Sequence, residues 1–245
     1  MESLGFENLP ADWDPVGADH ENRIVLPELI LIHTKRVRHV RLAIDSQRKL
    51  ASLRQYGEML ATKTGGDGVF LPDLTSLDVE HFPFPCDVPE IPFDEIAFGI
   101  LRAAPAVEYL SLPSFQAVGS WNTPGWHGGD QLSNLRELHM GPHCDTSPQW
   151  IEKVVSSSPK LESFRLHWAP LCWDLDLDED DREQRTVAYM WEILGKSQCR
   201  HRLREIVLHV RPDTPAGHVQ MDGTWSGLGE FRNLEVLNLN ITEAN

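Results

Sequence analysis

The sequence is short of basic residues relative to acidic ones. It has 22 Lys and Arg against 37 Asp and Glu, which gives a formal net charge of −15 at pH 7. A chain with this balance repels phosphate backbones and anionic lipid headgroups. We therefore expect neither nucleic acid nor a membrane surface as a partner.

Long apolar runs and clustered cysteines are also lacking. The longest apolar stretch, at 24–32, is interrupted by Pro27 and Glu28, whereas a transmembrane helix needs about 20 apolar residues. The N-terminal segment MESLGFENLPADWD carries acidic residues where a secretory signal has basic residues and an apolar core. The four cysteines have neither CxxC nor disulfide-framework spacing, which is typical of a reducing compartment. The sequence predicts a cytoplasmic or nuclear protein.

One pattern, Leu-x-x-Leu-x-Leu or a close variant, recurs along the chain. The second and third anchors of each unit are two residues apart, so they point to the same face of a strand. Successive units are 26 to 42 residues apart, mostly longer than the usual leucine-rich repeat of about 20–29 residues. The first anchors are Val37, Leu74, Val107, Leu135, Leu161, Leu203 and Leu234.

Helical segments are predicted between the strands, over 46–66, 94–105, 147–159 and 186–195. The third of them has Pro148 at its first helical position and an apolar stripe that includes Trp150. The fourth has a similar stripe that includes Trp191, and Gly195 is its predicted stop. A strand with a helical return cannot bury its apolar side alone, so it must stack on its neighbours.

The pattern predicts an α/β fold: a leucine-rich-repeat-like solenoid of about seven irregular repeats, with a curved parallel sheet inside and helices outside. The solenoid is expected to span 36–245, with an acidic insertion at 172–184, after an irregular or capping segment at 1–35. A doubly wound α/β sheet is the alternative. Its buried strands would be nearly continuous apolar runs, whereas polar residues stand between the anchors here.

The units that contain SPKLESFRL, RHRLREIVL and FRNLEVLNL look like the degenerate leucine-rich repeats of fungal F-box proteins. RVRHVRLAI resembles the first strand that follows the F-box in many of them. The resemblance implies the target-recognition part of a Skp–cullin–F-box ubiquitin ligase. In that family the F-box recruits a Skp-type adaptor and the solenoid holds the target protein.

The resemblance covers the repeat region only. LPEL at 27–30 matches the opening of an F-box, but the first repeat begins at Val37, which leaves no room for the rest of that module. A Skp-type adaptor is therefore expected only if an F-box is present or hidden. The alternative is an adaptor-free scaffold with the same fold.

The candidate partner-binding residues stand two, four and six places after the first anchors, where side chains should line the concave face of the sheet. They carry both signs of charge and include aromatic rings, which suits a protein ligand. They are His39, Arg41, Asp78, Glu80, Tyr109, Glu137, His139, Arg165, His167, Glu205, His209 and Asn238. Trp121 and Trp126, in a Gly/Pro-rich loop, are candidate rim contacts, with packing onto the solenoid as the alternative.

No catalytic, cofactor-binding or metal motif stands out, and we expect no enzyme and no cofactor. The acidic run at 174–183 spaces its carboxylates like a calcium loop, but Glu179 stands where that loop needs Gly and Arg185 where it needs Glu. A solvated insertion is the simpler interpretation, and a weak divalent site or a docking strip for a basic partner are the alternatives.

One enzymatic alternative remains, a metal-assisted hydrolase that uses the carboxylates of Asp78 and Glu80 with His139. A protein of that kind would gain thermal stability from divalent ions, because a ligand that binds only the native state stabilises it.

Overall fold

The computed structural model describes residues 36–44, 71–81, 101, 104–117, 132–146, 148–168, 187–210 and 228–241. Its strands are β1 (His39–Ile44), β2 (Ser76–His81), β3 (Tyr109–Ala117), β4 (Glu137–Thr146), β5 (Ser163–Trp168), β6 (Glu205–Val210) and β7 (Val236–Ile241). Its bounded helices are α1 (Pro148–Ser156) and α2 (Val187–Lys196), with 3-10 turns at Gln198–His201 and Leu228–Glu230.

The strands form one open seven-stranded sheet in the order β1-β2-β3-β4-β5-β6-β7. Every pair is parallel, and each strand lies beside its neighbours in sequence. A doubly wound sheet reverses its strand order at a switch point, and the described strands show no such reversal. The predicted α/β class with a parallel sheet is confirmed.

The register of the sheet follows the repeats of the sequence. The second anchors of all seven units lie level with one another in a single row across the sheet. This row is Val40, Leu77, Leu110, Leu138, Phe164, Ile206 and Leu237. The alignment of anchors in the sequence therefore predicts the register of the strands.

The core lies against the anchor face of the sheet. The anchors of the central strands, such as Phe164 and Leu166, are fully buried, and the stripe of α1 that includes Trp150 and Val154 belongs to the same cluster. Full burial of one such side chain stabilises the fold by about 1.5–3 kcal/mol. The helix starts at Pro148 as predicted.

One helix boundary differs from the prediction, and several predicted segments lie outside the described residues. Gly195 was predicted to stop α2, but the helix continues to Lys196. Leu101 is helical, whereas most of 94–105 and all of 46–66, 1–35 and 172–184 lie outside the described residues. No described helix has the length and apolar character needed to cross a membrane.

A closed turn precedes five of the strands. In each, the amide of the first anchor donates to the carbonyl three residues earlier. The pairs are Leu74 to Leu71 (3.2 Å), Val107 to Ala104 (3.2 Å), Leu135 to Leu132 (3.0 Å), Leu161 to Ser158 (3.1 Å) and Leu234 to Phe231 (3.2 Å). The second turn residue is Pro72, Pro105 or Pro159 in three of them, as suits a residue whose φ is near −60°.

A shared carbonyl then joins each unit to the next. At the first junction, the Arg38 carbonyl accepts hydrogen bonds from the amides of Thr75 and Ser76, both at 3.0 Å. The same pairing recurs at all six junctions and ends where the Arg204 carbonyl accepts from Glu235 and Val236. The turn and the shared carbonyl thus satisfy the backbone groups where the strands enter the sheet.

Candidate functional site

Alternate strand residues point away from the core and form what we call the polar face. Its first row is His39, Ser76, Tyr109, Glu137, Ser163, Glu205 and Val236, and its second row is Arg41, Asp78, Ser111, His139, Arg165, Val207 and Asn238. His167 and His209 lie level with each other in a third row. Period-two alternation alone assigns these residues to one face.

The predicted partner-binding residues fall on this face. Eleven of the twelve have side chains that are exposed or partly exposed, and they come from all seven strands. For Glu80 only the position in β2 is described. Trp121 and Trp126 lie outside the described residues.

A bidentate salt bridge joins β5 and β6. Arg165 donates from Nε to Oε2 and from Nη2 to Oε1 of Glu205, both at 3.0 Å. The Ser163 hydroxyl donates to Oε2 of the same carboxylate at 2.7 Å. Partial burial raises the pKa of Glu205, but the hydrogen bonds from Ser163 and Arg165 outweigh burial and leave the pKa below its ordinary value. Glu205 therefore stays ionised and holds the guanidinium in place.

Three imidazole rings run diagonally across the polar face. The ring centroids of His139 and His167 are 6.0 Å apart, and those of His167 and His209 are 4.2 Å apart. Nε2 of His209 is buried and has no hydrogen-bond partner among the described residues. A buried polar atom without a partner costs free energy, because it loses its hydrogen bonds to water on folding.

The pKa values of two of these histidines are lowered. Burial is the main cause for both; Arg165 adds to it for His139, and the neighbouring His209 and His139 add to it for His167. Both rings are therefore predominantly neutral at pH 7, and each can both donate and accept a hydrogen bond.

The hydrolase alternative requires a cluster of metal ligands. Within the ranges that the structure describes, no three His, Cys, Asp or Glu side chains are arranged to hold a metal ion. Asp78 and His139 lie on β2 and β4, with β3 between them. The side chain of Glu80, the third residue of that alternative, is not described.

A second charged feature lies where the strands begin, and the sequence did not predict it. One residue after each first anchor, side chains of alternating charge follow one another across five strands, and we call them the charge ladder. They are Glu108, Arg136, Glu162, Arg204 and Glu235. Nitrogens of the Arg136 guanidinium lie 3.7 Å from a carboxylate oxygen of Glu108 and 3.1 Å from one of Glu162. A guanidinium nitrogen of Arg204 lies 2.7 Å from a carboxylate oxygen of Glu235.

The charge ladder is exposed, so each of its pairs contributes only about 0–1 kcal/mol to stability. The charge ladder favours the correct register between neighbouring strands, because opposite charges meet only when neighbouring units are correctly aligned. The alternation was visible in the sequence at the position after the first anchor, but only the structure shows that these residues are neighbours.

Comparison with known proteins found no matching family model, curated protein or solved structure.

The lowered pKa values of His139 and His167 predict a pH-dependent stability. The unfolded chain, with histidine pKa values near 6.5, binds more protons in mildly acidic solution than the folded chain does. The free energy of unfolding should therefore be level above about pH 7.5 and fall as the pH drops below 6.5. Urea unfolding at several pH values measures this slope.

The matched variants are a His139→Gln/His167→Gln double variant and a His39→Gln control, since His39 is exposed. The double variant should flatten the slope between pH 7 and the lowered pKa values, and the control should keep it. Glu205, whose pKa is also lowered, adds its own loss only at lower pH, below its ordinary range. An identical slope in all three proteins would contradict the assignment.

Proposed function

We propose that this protein is a protein-interaction module that binds a protein or an extended peptide on the polar face. One observation carries the proposal. Seven sequential parallel strands present aligned rows of mostly polar side chains on one side, most of them exposed or partly exposed, while the core lies on their other side.

The dimensions of the face support a macromolecular ligand. Six gaps between seven strands make it about 29 Å wide, at roughly 4.8 Å per gap. Stable protein interfaces bury about 800 Å² of accessible surface on each partner, so a protein ligand would need to contact most of the strands of this face. A small molecule would contact only two or three strands.

The side chains support specificity. The Arg165–Glu205 bridge presents fixed donors and acceptors, and Tyr109 offers an aromatic surface. His139 and His167 add neutral hydrogen-bonding groups. Aromatic and arginine side chains are enriched among the residues that dominate binding energies. We infer recognition without covalent chemistry, and no cofactor is required.

We further propose that the sheet is the inner layer of a leucine-rich-repeat-like solenoid, with the polar face concave and the helices outside. The same turn, shared carbonyl and register recur from unit to unit, which supports a stack of repeats. The resemblance of the repeat units to fungal F-box proteins supports a target-recognition role in a ubiquitin ligase of the cytoplasm or nucleus. An adaptor-free scaffold is the second candidate.

The test is affinity capture from a fungal lysate, scored by quantitative mass spectrometry. A Tyr109→Ala/Glu137→Ala variant changes the polar face, and Glu152→Ala/Glu192→Ala is the matched control on exposed positions of α1 and α2. Two central contacts of at least 1 kcal/mol each predict a loss of about tenfold or more in captured target. The control should capture as much as the wild-type chain.

Equal capture by the two variants would contradict the proposed role of the polar face. The same experiment separates the two candidates for its cellular role. A stoichiometric Skp-type adaptor, retained by every variant, would support the F-box receptor. A captured target without the adaptor would support the adaptor-free scaffold.

A further inference from the structure

Among the side chains that the structure describes, the exposed large apolar ones lie on β7. Val236 is 45% exposed on the polar face, and Leu237 is 39% exposed although it stands in the core-facing row. The residues level with Leu237 on β6 and β5, Ile206 and Phe164, are fully buried. Leu237 has the same position in its repeat, but β7 has a described neighbouring strand on one side only, whereas β5 and β6 have one on each side.

The backbone of β7 shows the same difference. At each of the six junctions, the carbonyl one residue after the first anchor accepts two amides from the following strand. Glu235 holds that position in the last described unit, and its carbonyl receives no such pair from any described residue. Open strand edges of this kind are templates on which another chain can pair.

The charge ladder indicates which residue type fits beside Glu235. Its carboxylate is bound by Arg204 from one side, and the alternation of charge calls for a basic residue on the other side. The net charge of −15 attracts a basic segment and repels a second copy of the same chain. Charge complementarity thus favours a different protein as the occupant.

We propose that the edge of β7 binds, by parallel strand addition, an extended segment of another protein. The segment would carry a basic residue level with Glu235 and aliphatic residues level with Leu237 and Leu239. It would extend the charge ladder by one step and cover the exposed side chain of Leu237. This site is the edge of the sheet, so it is separate from the polar face and does not depend on the proposed function.

A peptide with the sequence RVRHVRLAI, which copies residues 36–44, is a suitable probe. Placed on β7 in the register that the strands already use, it sets Arg38 level with Glu235, Val40 level with Leu237 and Leu42 level with Leu239. Fluorescence anisotropy with the full chain should show saturable binding. A peptide with Val40→Asp should lose it, because the aspartate would replace the aliphatic contact with Leu237.

Charge exchange tests the register. An Arg38→Glu peptide should bind the wild-type chain about twofold to fivefold more weakly, the range of an exposed ion pair. A Glu235→Arg chain should reverse this preference, and a Glu152→Arg chain, altered at an exposed position of α1, should keep it. The Tyr109→Ala/Glu137→Ala variant should bind the probe like the wild type, which separates this site from the polar face.

Two results would overturn the proposal. One is the absence of probe binding, or binding that neither Val40→Asp nor the charge exchange changes. The other is self-association of the chain in sedimentation velocity that Glu235→Arg abolishes, because the occupant would then be a second copy.

Discussion

Replacing Phe164 with alanine is expected to lower the free energy of unfolding by about 3–5 kcal/mol. Phe164 is fully buried at the centre of the sheet, between the equally buried Leu138 and Ile206. The substitution removes an aromatic side chain and leaves a cavity that the two flanking strands cannot close. Equilibrium unfolding in urea, followed by circular dichroism, measures the loss.

Leu237→Ala is the matched control, since Leu237 occupies the same row at the end of the described sheet. Its side chain is 39% exposed, so truncation should cost about 1 kcal/mol, below the range for buried leucines. Equal losses in the free energy of unfolding at Phe164 and Leu237 would contradict the difference in burial between these two positions.

Proline substitutions at two positions of one repeat unit, four residues apart, should change the free energy of unfolding very differently. The amide of Glu137 donates to the Glu108 carbonyl at 2.9 Å, so Glu137→Pro removes a hydrogen bond at the start of a central strand. Ladder hydrogen bonds of this kind are incompatible with proline, and we expect a loss of about 3 kcal/mol or more, by analogy with a buried helix position. Thermal and urea unfolding both report it.

Ser133→Pro is the paired variant. Ser133 is the second residue of the closed turn, the position that Pro72, Pro105 and Pro159 occupy in other units. Proline fits there without strain and restricts the unfolded chain, so stability should stay level or rise by about 0.4–1 kcal/mol. A strongly destabilised Ser133→Pro protein would show that the turns of the units are not equivalent.

The sheet itself was predictable because its signal is repeated and local. The two-residue spacing of Leu77 and Val79 identifies a buried face, and its recurrence at other anchors sets the register. The exposure of Leu237 could not be predicted, because periodicity shows which way a side chain points but not whether a neighbouring strand covers it. The end of α2 was misplaced at Gly195 because this glycine lacks the left-handed φ of a helix-ending glycine, and the helix continues through it to Lys196.

The sequence predicted which side chains share the polar face but not the contacts between them. Alternation assigned His139, His167 and His209 to one face, but the 4.2 Å and 6.0 Å ring separations depend on register and side-chain rotamers across three strands. Likewise, the charge ladder joins Arg136 to Glu162 and Arg204 to Glu235, residues that are 26 and 31 positions apart. The alignment of the anchors places these residues level with one another, but the ion pairs between their side chains are seen only in the structure.

The strictly sequential strand order has a mechanical consequence. Within the described sheet, each strand pairs with the strand before it and the strand after it, so no described strand connects distant parts of the chain. Tension applied across the sheet would load the described junctions one after another, and β7 takes part in one of them. The sheet should therefore peel strand by strand from its ends, with the amides of β4 and β5 exchanging with solvent last.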